Sequence, residues 1–364
     1  MKLMLRGILR EEILKIIGAE VQVKISEPER SENGDFSTNA AFKVGNAEEI
    51  AEQLRKSELV KEVIVKNKFI NIFLKDEVLL KALGEKPEFP KKKEKINVEF
   101  ISANPTGPLT MANARGGFYG DTLSNLLEKT GHAVTREFYI NDSGNQVKLL
   151  GESIQATEGK IPEKEEYYKG EYVKELKGKS AEEAVEALLK EIQSSLKKAG
   201  VKFDNWFSEK KNLREPGELE KILKLLKSKV ERREGAVWFQ DWVLKKSDGE
   251  PTYFLADLAY HHGKFFRRKF DLAINVWGAD HAGHVERLKR GVEALGIDPA
   301  KLKIIIVQMV RLVSGGKEVR MSKRTGEFVT MDELLEEVGL DAARWFFLAR
   351  APETHMDFDL DLAK

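Results

Sequence analysis

The 364-residue chain has no cysteine. Disulfides and thiolate zinc sites are therefore excluded. Its six histidines offer no substitute. His261 and His262 are adjacent, and His281 and His284 sit three apart beside Asp280, so no metal-ligand spacing is present. No apolar run approaches the roughly 20 residues that a membrane span needs. Met1 to Arg10 alternates basic and apolar residues and lacks the apolar core of a signal peptide. A cytoplasmic protein with no membrane partner is expected. The net charge of +1 gives no global pull toward nucleic acid, so any RNA contact must come from local patches.

What is present is a chain long enough for two or three domains, with 41% hydrophobic residues to build their cores. The most informative stretch is 96–146. Ile96, Val98, Phe100 and Ile101 predict a buried strand. The loop Asn104-Pro105-Thr106-Gly107-Pro108 follows. A helix is expected from Met111 to Gly131, whose glycine suits a left-handed cap, and a second strand from Ala133 to Ile140. This strand–loop–helix–strand unit belongs to parallel α/β sheets, and the helix N-terminus makes its corner a phosphate site.

Elsewhere the readings are coarser. Residues 1–88 predict a small α+β domain. It has a helix with Leu5, Ile8, Leu9, Ile13, Ile16 and Ile17 at helical spacing, and a strand over Glu20 to Ser26. A turn is expected over Gly34 to Asn39, where Asp35 or Ser37 would cap a helix, and one closing strand from Lys66 to Phe73. Residues 89–95 form a Pro/Lys linker. A charge-rich, mostly helical insertion is expected over 151–235, with Ala184, Leu188, Ile192 and Leu196 on one helix face. Strands follow at Val237–Phe239, Leu272–Val276 and Ile304–Val310, with helices at Thr252–Lys264, His284–Leu295, Met331–Val338 and Asp341–Leu348. Ser314-Gly315-Gly316 predicts a hinge-like loop, and the segment from Asp357 onward shows no capping residue.

Five segments carry a more specific signal. They are EFISANPTGPL, ARGGFYGDTLSNLLEKTGHAVTREFYINDSGNQ, DGEPTYFLADLAYH, NVWGADHAGHVERLK and VRMSKRTGEFVTMDELLEEVG. In order and spacing the chain resembles the class I aminoacyl-tRNA synthetases, and among them the arginyl-tRNA synthetases. The resemblance implies an α/β, Rossmann-type catalytic domain at 96–350 and an N-terminal domain that touches tRNA. It implies that 351–364 begins a stem toward an anticodon-binding domain, the chain being either a fragment or a natural truncation. The implied reaction activates L-arginine with ATP and Mg²⁺ and charges tRNA(Arg), with a monomer expected. A truncated paralogue serving another acceptor, or a non-catalytic tRNA-binding module, remains open.

By the same resemblance, Tyr253 and Asp257 hold the guanidinium, and Glu99, Ser102 and Asn104 line the amino-acid pocket. Asp142 and Gln146 suit the α-amino group or the end of tRNA. Gly107, Gly278, Asp280 and His284 contribute to the ATP site. Met321, Ser322 and Lys323 belong to the mobile lysine loop, where Lys323 meets the phosphates. From the residues alone, Glu99 reads equally as an edge-strand charge and Asp257 as a surface partner of His261. The family's His-x-Gly-His signature is replaced by Thr110-Met111-Ala112-Asn113. Thr110 and Asn113 keep hydrogen-bond donors and lose the positive charge. The exchange reads either as tolerated drift, favoured by the intact remaining motifs, or as a weakened activation step.

Overall fold

The computed structural model describes residues 2–18, 21–84, 89, 91–319 and 329–364. It divides into two compact units, 1–89 and 90–364.

In the first unit, Leu5, Leu9 and Ile13 bury one stripe of the helix Lys2–Ile17. The core it joins includes a four-stranded antiparallel sheet, ordered Ile25–Ser26, Phe36–Thr38, Phe69–Leu74, Val60–Lys66. Three expectations are corrected here. Only Ile25 and Ser26 of the expected first strand pair. Phe36–Thr38 is a strand inside the expected turn, and Asp35 Oδ2 accepts the Leu74 N–H at 2.9 Å, tying strands together instead of capping a helix. The expected closing strand is two strands joined at Asn67-Lys68, both at positive φ. Two such residues make the tight hairpin turn whose twist suits its strands. Without a glycine, that turn is silent in the sequence.

The second unit holds a five-stranded parallel sheet, ordered 302–307, 272–278, 95–100, 133–140, 205–208. The expected α/β class is thus observed. The order reverses at Lys95–Phe100, which makes that strand's carboxyl end the topological switch point where ligands bind in doubly wound sheets. The strand stops at Phe100, one residue short of expectation, because Ile101 and Ser102 take positive φ and turn the chain out of the sheet. The helix Met111–Lys129 packs across it. Gly120 permits the approach: a Cβ there would lie 2.2 Å from Phe100 Cγ.

The expected insertion needs new bounds. Helices Asn145–Thr157, Glu171–Glu175 and Ala181–Lys198 share an apolar core around Leu150, Ile154, Val173 and Leu188. However, Asn205–Ser208 is the outer strand of the main sheet, and 231–245 forms a three-stranded antiparallel sheet. A four-residue strand whose paired residues lie 68 positions earlier leaves no local periodicity to read.

Toward the end, the expected strand Ile304–Val310 is broken at Gln308-Met309. Leu302–Val307 stays in the main sheet, while Val310–Ser314 pairs with Lys317–Glu318 and Met356–Asp359. Gly315 and Gly316, at φ 57° and 71°, form the turn of that hairpin and not a hinge. Residues 351–364, expected as a stem, belong to this unit. Met356 and Phe358 lie in its main core, and Asp359 Oδ1 accepts N–H groups of Asp361 and Leu362, supplying the cap that the sequence did not reveal. Among the described residues, no helix is long and apolar enough to cross a membrane.

Candidate active site

A cavity of about 780 Å³ opens where the strands of the parallel sheet end. Its wall is assembled from residues at each carboxyl edge: Glu99, Ile101 to Asn104, Tyr139 and Asn141, Glu209, Val276 to Asp280, and Val307 to Met309. The helix Tyr253–His262 closes one side with Tyr253, Asp257, Tyr260 and His261. The start of Met111–Lys129 closes another with Thr110 and Asn113.

Glu99 is buried on the central strand, so its edge-strand reading is excluded. Its Oε1 accepts from the Ser102 hydroxyl at 3.1 Å, and its Oε2 lies 2.9 Å from Lys264 Nζ. Ser102 Oγ in turn accepts the Tyr139 N–H at 3.1 Å, extending the strand pairing past the point where the chain turns away. Beneath this floor, Lys264 Nζ also donates to Asn275 Oδ1 at 3.1 Å. Asn275 Nδ2 lies 2.8 Å from His261 Nε2, and His261 Nδ1 lies 2.7 Å from the Asp257 carbonyl. That arrangement suits a neutral imidazole with its proton on Nδ1. Burial, with Lys264 nearby, pushes the His261 pKa down to about 3.

Asp257 therefore does not pair with His261 through its carboxylate, as the surface reading had it. Its side chain faces the cavity. Burial, followed by Glu99, pushes its pKa up to about 7, against a smaller opposing pull from Arg287. Next to it, burial and Glu209 raise the Tyr139 hydroxyl well above its ordinary value. That hydroxyl donates to Glu209 Oε2 at 2.7 Å. Burial would raise the Glu137 carboxyl, but bonding from Arg268 and the charge of Lys264 bring it below the ordinary range. Tyr260 completes this layer, donating to Glu137 Oε1 at 2.5 Å.

At the altered signature, the N–H and hydroxyl of Thr110 both donate to Asn113 Oδ1, at 2.8 and 3.0 Å. This closes the first helical turn. Leu109 and Met111 also exchange backbone hydrogen bonds with Met331 and Val329. The starts of helices Met111–Lys129 and Met331–Val338 are thereby bound side by side.

Models of two protein families match the chain: "Arginyl tRNA synthetase N terminal domain" over residues 4–74, and "tRNA synthetases class I (R), catalytic domain" over 76–206 and 163–351. The chain belongs to the class I arginyl-tRNA synthetase family. A relative in Carboxydothermus hydrogenoformans, named arginine–tRNA ligase, is 41% identical over 398 residues, covering 95% of this chain and 71% of its own. One of the same name in Thermotoga maritima is 40% identical over 415 residues, covering 99% and 75%. The solved arginyl-tRNA synthetase of Thermus thermophilus shares the fold, with a TM-score of 0.76 at 21% identity over 99% of this chain and 78% of that one.

Among the residues expected at an arginyl-tRNA synthetase site, Glu99, Ser102, Asn104, Thr110, Asn113, Gln146, Tyr253, Asp257, Gly278, Asp280 and His284 all line the one cavity. Two do not. Asp142 is turned away: it accepts the Ser208 hydroxyl at 2.5 Å and the Lys210 N–H at 2.9 Å, fixing the chain after the outer strand. Gly107 lies against the Tyr172 ring of the helical insertion. Met321, Ser322 and Lys323 fall outside the described residues.

Sequence reasoning missed Tyr139, Asn141, Glu209, Tyr260, His261 and Arg287 in the wall, and Glu137, Lys264, Arg268 and Asn275 beneath it. One signal was available. Asn275 interrupts an otherwise apolar strand, and a buried polar residue in such a strand demands a partner.

Proposed function

We propose that the chain activates L-arginine with ATP and transfers the arginyl group to tRNA(Arg). The arginine carboxylate attacks the α-phosphorus, the bond to the β-phosphate breaks, and arginyl-adenylate and pyrophosphate form. The terminal ribose hydroxyl of tRNA then attacks the activated carbonyl and AMP leaves. Neither step needs a protein nucleophile, so catalysis is positioning and charge neutralisation. The observation that carries the reading is the cavity at the switch point, which Asp257, Tyr253 and Glu99 line together with Thr110 and Asn113 of the helix start.

In this reading Asp257, with Tyr253, receives the guanidinium, a planar cation that calls for a fixed carboxylate. Glu99, Ser102 and Asn104 orient the rest of the amino acid, and Gln146 meets its α-amino group or the end of tRNA. ATP lies toward the Met111–Lys129 helix, its phosphates meeting the helix N-terminus and the Asn113 Nδ2 donors, with the Thr110 hydroxyl orienting that amide. Gly278, Asp280 and His284 take the adenosine. Lys323 supplies a positive charge to the phosphates. Mg²⁺ enters with ATP as part of that substrate, held by phosphate oxygens and water. The enzyme is read as a cytoplasmic monomer, and the N-terminal unit as a tRNA contact.

The test is arginine-dependent ATP–pyrophosphate exchange, with and without total tRNA, beside Asp257→Ala. Exchange that needs arginine and disappears in the variant supports the reading. Retained ATP binding without arginine binding refutes the substrate assignment.

A further inference from the structure

Lys264 is fully buried, and the family motifs give it no task. It occupies a π-helical turn, Gly263–Arg267, that follows the helix Tyr253–His262. Such turns are rare and concentrate at functional sites. A buried ammonium is costly unless it is paired, so its partners show what the site gains from it.

We infer that Lys264 is a positioning residue for arginine recognition, acting through Glu99. It takes Glu99 Oε2 at 2.9 Å, which leaves Oε1 directed to Ser102 at the cavity wall. The carboxylate is then held in one rotamer. Through Asn275 the same ammonium is linked to His261, whose ring is bonded to the Asp257 main chain at the wall. The groups around Lys264 are Glu99 and Asn275 from the central strands, Glu137 from the next strand, and Tyr260, His261 and Arg268 from its own segment. Its ammonium stands 4.2 Å from the Tyr260 ring centre.

The charges under the floor balance. Glu99 and Glu137 face Lys264 and Arg268. Asp257 is left as a cavity carboxylate that a guanidinium can claim. The charge of Lys264 also opposes the effect of burial and Glu99 on the Asp257 carboxyl, favouring its ionised form. This inference rests on the reading of arginine as substrate.

The test is a double-mutant cycle with Lys264→Met and Glu99→Gln, read as KM for arginine, KM for ATP and kcat across pH 6 to 9, with tRNA present. For Lys264→Met we expect KM for arginine to rise about tenfold or more with KM for ATP unchanged. The acid limb of kcat/KM for arginine should move to higher pH. In the Glu99→Gln background at pH 9, where Asp257 is ionised with or without the lysine, removing Lys264 should cost nothing further in arginine KM, because the lysine acts through that carboxylate. If Lys264→Met does not fold, this second arm still decides, since the doubly neutral pair buries no lone charge. An unchanged arginine KM and pH profile in folded Lys264→Met overturns the inference, as does an additive loss in the Glu99→Gln background at pH 9. Wild-type protein that does not use arginine overturns the underlying function instead.

Discussion

Thr110 and Asn113 are locked to each other: the N–H and the hydroxyl of Thr110 converge on Asn113 Oδ1 at 2.8 and 3.0 Å. The amide oxygen of Asn113 is thereby committed to the helix start, and its Nδ2 donors are left for the cavity. Asn113→Ala removes a cap and a donor together. It should cost about 1 kcal/mol of stability. It should also lower kcat by roughly tenfold or more, with arginine KM little changed. Urea unfolding and steady-state exchange kinetics separate the two effects.

Asp257 predicts a proton-linked affinity. Its carboxyl titrates near 7 instead of the ordinary 3.8 because it is buried close to Glu99. A guanidinium selects the ionised form, so arginine affinity should rise with pH up to about 8 and then level off. Binding near pH 6.5 should release a proton, read by calorimetry in two buffers of different ionisation heat. The stability linkage has the opposite sign: a raised carboxyl pKa destabilises the fold as pH climbs from about 4 to about 7. Asp257→Asn should lose both dependences, and a persisting proton release would assign it to another group.

Arg115 is a structural cation. Fully buried in the Met111–Lys129 helix, it donates to the carbonyls of Gln308, Ala351 and Thr354 at 2.8 to 2.9 Å. It therefore fixes the broken strand at Gln308, which lines the cavity, to the segment that follows the helix Leu340–Leu348. Arg115→Met should destabilise by about 1–3 kcal/mol, since three part-buried carbonyls lose their donor. The denaturation midpoint should fall with it.

Gly120→Ala tests the helix–strand approach. The added methyl would meet the Phe100 ring at 2.2 Å, with both elements held in the core. A loss of about 1–3 kcal/mol is expected from overpacking. Phe100→Leu in the same chain should recover part of it, and strict additivity of the two losses would contradict the stated contact.

Some of the molecule was legible one residue at a time. The helices Met111–Lys129, Ala181–Lys198 and Met331–Val338 carry apolar stripes and capping residues, and each lies where the local pattern places it. The hairpin at Asn67-Lys68 and the strand Asn205–Ser208 had no such pattern. One is a turn without glycine, and the other is four residues long and paired only across a long loop.

By itself, the sequence determined the α/β class, the strand–loop–helix–strand unit around Glu99 and Asn113, and the wording that ties the chain to its family. These are local or near-local properties, carried by periodicity, capping and contiguous motifs. Only the tertiary structure decided that Glu99 stands on the central strand and that Asp142 faces away from the cavity. It alone brought Lys264, Asn275 and His261 together under the floor. Those facts depend on strand order and on contacts between residues up to 165 positions apart. A buried charge is placed by whichever distant partner can neutralise it, and no local pattern along the chain encodes that choice.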